Sequence, residues 1–395
     1  MWHFVSPRIV FGEGALAALE DIPISRALIV TDENLVQIGL VDCVQEELKK
    51  NGCETFIFDS VEPDPTLATV ELGKQAALEY QPDWIIGLGG GSPMDAAKAI
   101  WVLYEKPDLI PAEINPFITL GLREKSRLIT IPTTSGTGAE VTWAIVLTDP
   151  ENSRKMGLGN RENVADYALV DPALASGMPP RLTADTGLDA LTHAVEGFIC
   201  TWHTDITDGL CLNAAREILV TLPLAYEASQ ADNPQLEKYT QAREKMHNAA
   251  TSAGLGFGNA MASLAHAMGH VLGSVFHIPH GLAVSLCLPY TIEFAARGEN
   301  SSRIAILAQA LGICGPEDDF GKELAGKLRG LLKEVENPAS LAEVGIKKGA
   351  FQEVLDKLVD DSFNDTQIIT APRAPSYGEL EKIFQAVYDG KQIDF

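Results

Sequence analysis

Short runs of β-branched and aliphatic residues alternate with segments of helical period between about residues 27 and 171, then vanish beyond Pro179-Pro180. Such alternation is what a largely parallel sheet covered by helices requires, because parallel strands need long crossover connections. Beyond the two prolines, apolar residues recur every three or four positions, the period of helices that bury one stripe. The reading is an α/β domain over residues 1–180 followed by an all-helical domain over residues 181–395. The boundary sits at the Pro pair, which cannot continue a helix and pushes the preceding residues into extended conformations. A chain of 395 residues is long enough for two such cores.

The strands expected in the first domain are residues 27–31 (ALIVT), 55–58, 84–88 (WIIGL) and 128–131. Helical stretches at 35–51 and 66–80 have crossover length. The polar stretch 229–238 and the acidic stretch 315–319 read as solvated loops between helices.

Charge excludes some partners. Lys and Arg number 30 against 54 Asp and Glu, a net charge of −24, so nucleic acid and anionic membrane surfaces are repelled at long range. No apolar run reaches the ~18–20 residues that span a bilayer, and the opening MWHFVSPRIVFGEGAL has no basic stretch leading into an unbroken apolar core. Six scattered cysteines without a CxxC pair suit reduced thiols. A cytoplasmic protein is expected.

Within the α/β half, WIIGL runs straight into Gly89-Gly90-Gly91-Ser92 and then PMDAAK, in the order strand, glycine loop, helix. Missing β-carbons let a phosphate approach the backbone, and the helix start offers free N–H groups and the positive end of its dipole. A tight turn has the same composition, so the loop alone decides nothing. Asp32 follows the first strand at its carboxyl end, where a carboxylate can accept from a ribose diol and repel a 2′-phosphate, favouring NAD over NADP. It precedes Gly89 by 57 positions, which is not the common fingerprint order. A second loop, PTTSGTG at 132–138, follows the fourth strand and is rich in hydroxyl groups.

Seven of the eight histidines fall between His193 and His280. Asp189 and His193 are four apart in a stretch, 183–198, that reads as helical, and His266 and His270 repeat that spacing in 263–272. Pro279-His280-Gly281 adds an imidazole where the chain must turn. Buried imidazoles at a helix interface are the bland account of such a group. The two same-face pairs with a Pro-His-Gly turn point instead to metal ligation by Asp189, His193, His266 and His280. Three imidazoles and one carboxylate without a thiolate suit Fe²⁺ or Zn²⁺. His3, His203 and His247 are read as ordinary core or surface residues.

The blocks GGGSPMDAAK, TTSGTGAEVT, GLDALTHAVEGF and HAMGHVLGSVFHIPHGLAVSLCLP together resemble successive signatures of the iron-containing (group III) alcohol dehydrogenases. That resemblance implies an N-terminal dinucleotide-binding α/β domain and an all-α metal-binding domain, the fold shared with dehydroquinate synthase, with NAD(P) and a divalent metal, usually Fe²⁺, in the cleft between them. It assigns Asp189, His193, His266 and His280 as metal ligands and His270 as a non-ligating histidine beside nicotinamide and substrate. Gly90, Gly91 and Ser92 correspond to the diphosphate loop, and Asp95, Thr133, Thr134, Thr137 and Lys155 to residues around the nicotinamide ribose or adenine moiety. Asp32 corresponds to the acid that biases members toward NAD. Nothing is carried onto His277, and a homodimer or larger homo-oligomer is expected.

With a divalent metal as Lewis acid, a small alcohol gives up its hydroxyl proton more easily and its carbon releases hydride to nicotinamide C4. His270, one turn from His266, is placed to relay the proton. Hydroxyacid–oxoacid transhydrogenase, lactaldehyde reductase-like and glycerol dehydrogenase-like activities belong to the same superfamily. A dehydroquinate synthase-like lyase needs several basic residues for its phosphorylated substrate, whereas GLDALTHAVEGF is poor in Lys and Arg. A non-catalytic metal-binding protein would show no cofactor dependence.

Overall fold

The computed structural model describes residues 3–149, 154–316 and 319–395; of the acidic stretch 315–319, Glu317 and Asp318 lie outside them. The chain divides into two compact units, Met1–Gly177 and Met178–Phe395. The strands of the first are Arg8–Phe11 (β1), Arg26–Val30 (β2), Glu54–Phe58 (β3), Trp84–Gly89 (β4), Arg127–Pro132 (β5), Ala144–Asp149 (β6), Arg154–Gly159 (β7) and Tyr167–Val170 (β8). Its α-helices are Glu33–Gln37 (α1), Leu40–Lys50 (α2), Leu67–Tyr80 (α3), Gly91–Glu105 (α4) and Pro172–Ala175 (α5).

Six strands form one parallel sheet in the order β1-β8-β5-β4-β2-β3. β4 is buried along its whole length, as a central strand covered on both faces must be. The four expected strands are present: the first is shifted by one residue, to 26–30, and the other three are extended by one or two residues. Two more, β1 and β8, were not anticipated: each has only four residues, too few to show a period. The hairpin β6–β7 is antiparallel and lies outside the alternation. The single helix expected at 35–51 is two, interrupted at Ile38-Gly39.

The strand order fixes where a ligand can enter. From β2 the chain moves outward to β3, then returns to the other side of β2 to make β4. The crevice beyond the carboxyl ends of β2 and β4 is therefore the topological switch point, the usual ligand position in open α/β sheets. Asp32 follows β2, the glycine loop follows β4, and residues 133–138 follow β5, three adjacent strands.

The second unit contains Pro180–Ile199 (α6), Asp205–Gln230 (α7), Glu237–Asn259 (α8), Leu264–Phe276 (α9), His280–Ala295 (α10), Ser301–Ala310 (α11), Phe320–Glu334 (α12), Leu341–Val344 (α13), Lys348–Phe363 (α14) and Tyr377–Asp389 (α15). Among its described residues there is no strand. The loop expected at 229–238 is shorter, because α7 continues to Gln230 and α8 starts at Glu237. Pro180 occupies the first turn of α6, where its missing N–H is no loss. α6 packs against α7, α8 and α10 and is buried on nearly all sides. Its core is aliphatic, including Leu188, Leu191 and Val195, so the buried Asp185, Asp189, His193 and Glu196 on the same helix are the informative exceptions. No described helix is long and apolar enough to cross a membrane.

One buried histidine gives a pH prediction. Burial pushes the His247 imidazole down from 6.5 to about 4. As pH falls from 6.5, the unfolded chain takes up a proton that the native fold refuses until about 4, so stability drops across that window. The loss from this residue reaches roughly 3 kcal/mol at pH 4. Chemical denaturation at pH 7, 5.5 and 4.5 should show it, and His247→Gln, which cannot take the charge, should flatten that part of the slope.

Candidate metal centre and cofactor loops

The helical period of α6 sets Asp189, His193 and Glu196 on one face, at spacings of four and three residues. α9 contributes His266 and His270, one turn apart, and α10 begins at His280. Pro279 precedes that helix, and Gly281 lets its start press against α6: a β-carbon at Gly281 would sit 2.1 Å from the carbonyl oxygen of Asp185. Only glycine permits that approach, and the approach brings His280 to Asp189.

Three imidazoles converge on one carboxylate oxygen. From Asp189 Oδ1, His280 Nε2 lies at 3.5 Å, His266 Nε2 at 3.7 Å and His193 Nε2 at 3.8 Å. Those separations are too long for good hydrogen bonds. They are close to the ~3.4 Å edge of a tetrahedron whose ligands stand about 2.1 Å from a central cation. Donor atoms of Asp189, His193 and His266 all lie within 4.8 Å of one another, and all three residues are buried. Asp189 Oδ1 and His266 Nε2 are buried with no hydrogen-bond partner, a costly state that a shared cation removes. The residues therefore fit a divalent metal.

Electrostatics favour a cation here. Burial acts to raise the Asp189 carboxyl, but the surrounding His193, His280 and His266 outweigh it and hold the group below the usual carboxylate range. Burial likewise opposes charge on His266, yet the two carboxylates beside its ring, Asp189 and Glu196, prevail and raise it from 6.5 to about 9. A metal must displace that proton to use Nε2.

Two carboxylates that the sequence reading did not single out hold the histidines. Glu196 Oε2 meets His266 Nδ1 at 2.5 Å, and its two oxygens accept from the backbone N–H groups of Ser263, Ala265 and His266 at 3.0, 2.6 and 3.3 Å. It thus closes the positive start of α9 while fixing which ring nitrogen of His266 faces Asp189. The signal was present, since Glu196 continues the face of Asp189 and His193. Asp365, joined to His270 Nδ1 at 2.9 Å, left no such signal, being 95 residues away in sequence. Phe257 stacks on His193 with centroids 3.8 Å apart and planes 6° apart, which fixes that ring. His277 ends α9 in the left-handed conformation.

In the first unit, α4 begins at Gly91, so Pro93 stands third in the helix and not first as its sequence suggests. Gly90 caps it. The glycine loop and the hydroxyl-rich loop touch: Thr133 N–H donates to Gly89 O at 2.9 Å, and a β-carbon on Gly91 would lie 3.1 Å from Thr137 Cγ2. Part of the glycine requirement is thus packing between loops. Thr134 Oγ1, beside Gly90, is buried without a partner, a hydroxyl suited to a polar ligand atom. Asp32 caps α1, its Oδ1 accepting from Asn34 and Leu35 N–H at 2.9 and 3.2 Å. Ser92 Oγ accepts from Asp64 N–H at 3.3 Å, and Lys155 Nζ pairs with Asp64 Oδ1 at 2.8 Å, which brings Lys155 to the loop.

Asp95 is differently employed. Its Oδ1 pairs with the fully buried Lys98 at 3.2 Å and its Oδ2 accepts from Val146 N–H at 3.0 Å, while Lys98 donates to Ala144 O at 2.8 Å. The pair ties α4 to β6. Burial pushes the Asp95 carboxyl up and the Lys98 ammonium down, each opposed by attraction between the two.

A sheet with ligand-ready loops at its switch point, and a helical unit with a buried group of one carboxylate and two imidazoles and a third imidazole beside that carboxylate, are the parts of an oxidoreductase that uses a dinucleotide and a divalent metal. Residues 6–172 match the family described as iron-containing alcohol dehydrogenase, and residues 183–388 the one described as Fe-containing alcohol dehydrogenase family, C-terminal. The NADPH-dependent butanol dehydrogenase of Clostridium saccharobutylicum is 38% identical over 402 residues, 100% of each chain. The bifunctional aldehyde-alcohol dehydrogenase of Escherichia coli K12 is also 38% identical, over 99% of this chain but only 46% of its own length. Among solved structures, an iron-containing alcohol dehydrogenase from Thermococcus thioreducens superposes with a TM-score of 0.89 at 29% identity, covering 99% of this chain and 100% of that one. The chain belongs to the iron-containing alcohol dehydrogenase family, a family of metal- and NAD(P)-dependent oxidoreductases.

Proposed function

We propose that the chain oxidises a small primary or secondary alcohol with NAD, and reduces the matching aldehyde or ketone, using Fe²⁺ held by Asp189, His193, His266 and His280. The convergence of three imidazole nitrogens on Asp189 Oδ1 carries this reading. Three nitrogens and one oxygen, all neutral or carboxylate donors, suit Fe²⁺, with Zn²⁺ as the substitute. When bound, the cation supplies a Lewis acid that favours loss of the alcohol's hydroxyl proton. His270 accepts that proton and returns it in the reduction. Gly90, Gly91 and Ser92 offer the start of α4 to the cofactor diphosphate, and Thr134 Oγ1 and neighbouring Thr133 and Thr137 meet its polar atoms. Lys155 balances phosphate charge near the same loop. Asp95 acts from behind, holding α4 against β6.

Asp32 sets the preference for NAD. Its carboxylate accepts from the ribose diol and repels a 2′-phosphate, in contrast to the NADPH named for the butanol dehydrogenase relative. In the same proposal the protein works in the cytoplasm as a homodimer or larger homo-oligomer, which gel filtration would size.

The test is the purified protein with Fe²⁺, either nicotinamide cofactor and a panel of short alcohols, followed by absorbance of the reduced cofactor. Metal-dependent reduction with NAD⁺ favoured is expected. Asp32→Gly should narrow the preference over NADP⁺ by about tenfold, since removing one like-charge repulsion is worth at least ~1.4 kcal/mol. Glycine also serves at a helix cap at a cost of only a few tenths of a kcal/mol, so the fold survives. Absence of any metal-dependent turnover across the panel would discard the dehydrogenase reading.

A further inference from the structure

His270 is held from outside the helix that carries it. Its Nδ1 lies 2.9 Å from Asp365 Oδ2, and its ring is flanked by His280, with centroids 5.4 Å apart, and by His266 at 6.0 Å. Asp365 is itself fixed. Its Oδ1 accepts from Gln367 N–H at 2.8 Å and caps the 3₁₀ segment Thr366–Thr370, and its own N–H donates to Ser362 O at 3.2 Å. That segment is anchored in turn: Thr201 N–H donates to Thr370 O at 2.9 Å, and the Thr370 hydroxyl to Ala262 O at 2.5 Å.

We propose that Asp365 is the positioning residue of the proton relay, a reading that rests on the dehydrogenase function proposed above. A carboxylate can only accept, so the ring nitrogen it meets carries the hydrogen and the opposite nitrogen, Nε2, keeps its lone pair. Of the two neutral tautomers, only this one can take a proton through Nε2. In the oxidation, the hydroxyl proton of the alcohol passes to Nε2. The C–H bond gives its electron pair with hydrogen to C4 of NAD⁺, leaving the carbonyl product and NADH. In the reverse direction Nε2 returns the proton. Asp365 exchanges no proton; it holds the tautomer and the ring angle.

The decisive variant is Asp365→Ser. Serine is a good cap, so Gln367 N–H keeps an acceptor, but its hydroxyl is too short to reach His270. In the metal-loaded enzyme kcat is expected to fall roughly 10–100-fold, the usual loss when the partner that orients a site histidine is removed. KM, bound metal and melting temperature should stay at wild-type values. In a His270→Ala background the same change should cost nothing further, because the two residues act as one unit. Ring ¹⁵N spectra of the metal-free protein should show His270 as the Nδ1–H tautomer, and mixed tautomers in Asp365→Ser. A kcat within twofold of an active wild type, an equal penalty in the His270→Ala background, or an unchanged ring spectrum would overturn the proposal. Should the wild type turn over no alcohol, the dehydrogenase reading fails by itself, and the ring spectrum still decides the Asp365 contact.

Discussion

His266→Ala is expected to abolish metal binding and with it at least ~1,000-fold of the alcohol oxidation rate, while His270→Ala keeps its metal and loses turnover alone. The two histidines are one turn apart on α9, and the difference between them is which group each ring addresses. His266 Nε2 is buried, unpartnered and 3.7 Å from Asp189 Oδ1, so truncating it removes one of four donors and leaves a polar void facing an anion. His270 instead pairs its Nδ1 with Asp365, at 2.9 Å. A Lewis acid contributes several kcal/mol of charge stabilisation, and each ~1.4 kcal/mol is tenfold in rate, which sets the first magnitude. General acid–base help is worth about 10²–10⁴-fold, which sets the second. Metal analysis of the purified variants beside steady-state rates checks both. Equal metal loss in the two would end the division of labour.

The same residues show what one sequence carries. Asp189, His193, His266 and His280 were legible because helical spacing places residues four apart on one face, and a Pro-His-Gly turn marks a helix start. Glu196 was equally legible by spacing, yet a carboxylate on a helix is usually solvated, so burial had to be seen before it stood out. Asp365 was not legible, because the 3₁₀ segment that it caps reaches α9 by tertiary packing alone. In the sheet, the strands with five or six residues announced themselves, while β1 and β8, with four each, are specified by their parallel pairing with one another. For Asp95 the motif gives a place beside the glycine loop, and the structure adds what one sequence does not show, that its two oxygens meet Lys98 and Val146.

Glu196→Ala should be among the most damaging single changes outside the four proposed ligands, lowering stability by several kcal/mol and weakening metal binding together. Glu196 is 1% exposed, and its oxygens take three backbone N–H groups at the start of α9 as well as the His266 ring. Alanine leaves those donors buried, at about 1–3 kcal/mol each when no water replaces the acceptor. Relaxation recovers some of that sum, so a net loss of ~3–6 kcal/mol follows, or on the order of 10 °C in melting temperature for a unit of this size. The ring of His266 then loses the partner that keeps the hydrogen on Nδ1 and Nε2 free, and metal affinity should drop about 10–100-fold. Glu196→Gln separates the two effects: it preserves shape, but one of its two terminal groups becomes a donor aimed at donors, so part of both losses should remain. Thermal unfolding with and without added metal, together with chelator competition, measures them independently. A Glu196→Gln protein that melts and binds metal as the wild type does would show that the carboxylate merely fills space between α6 and α9.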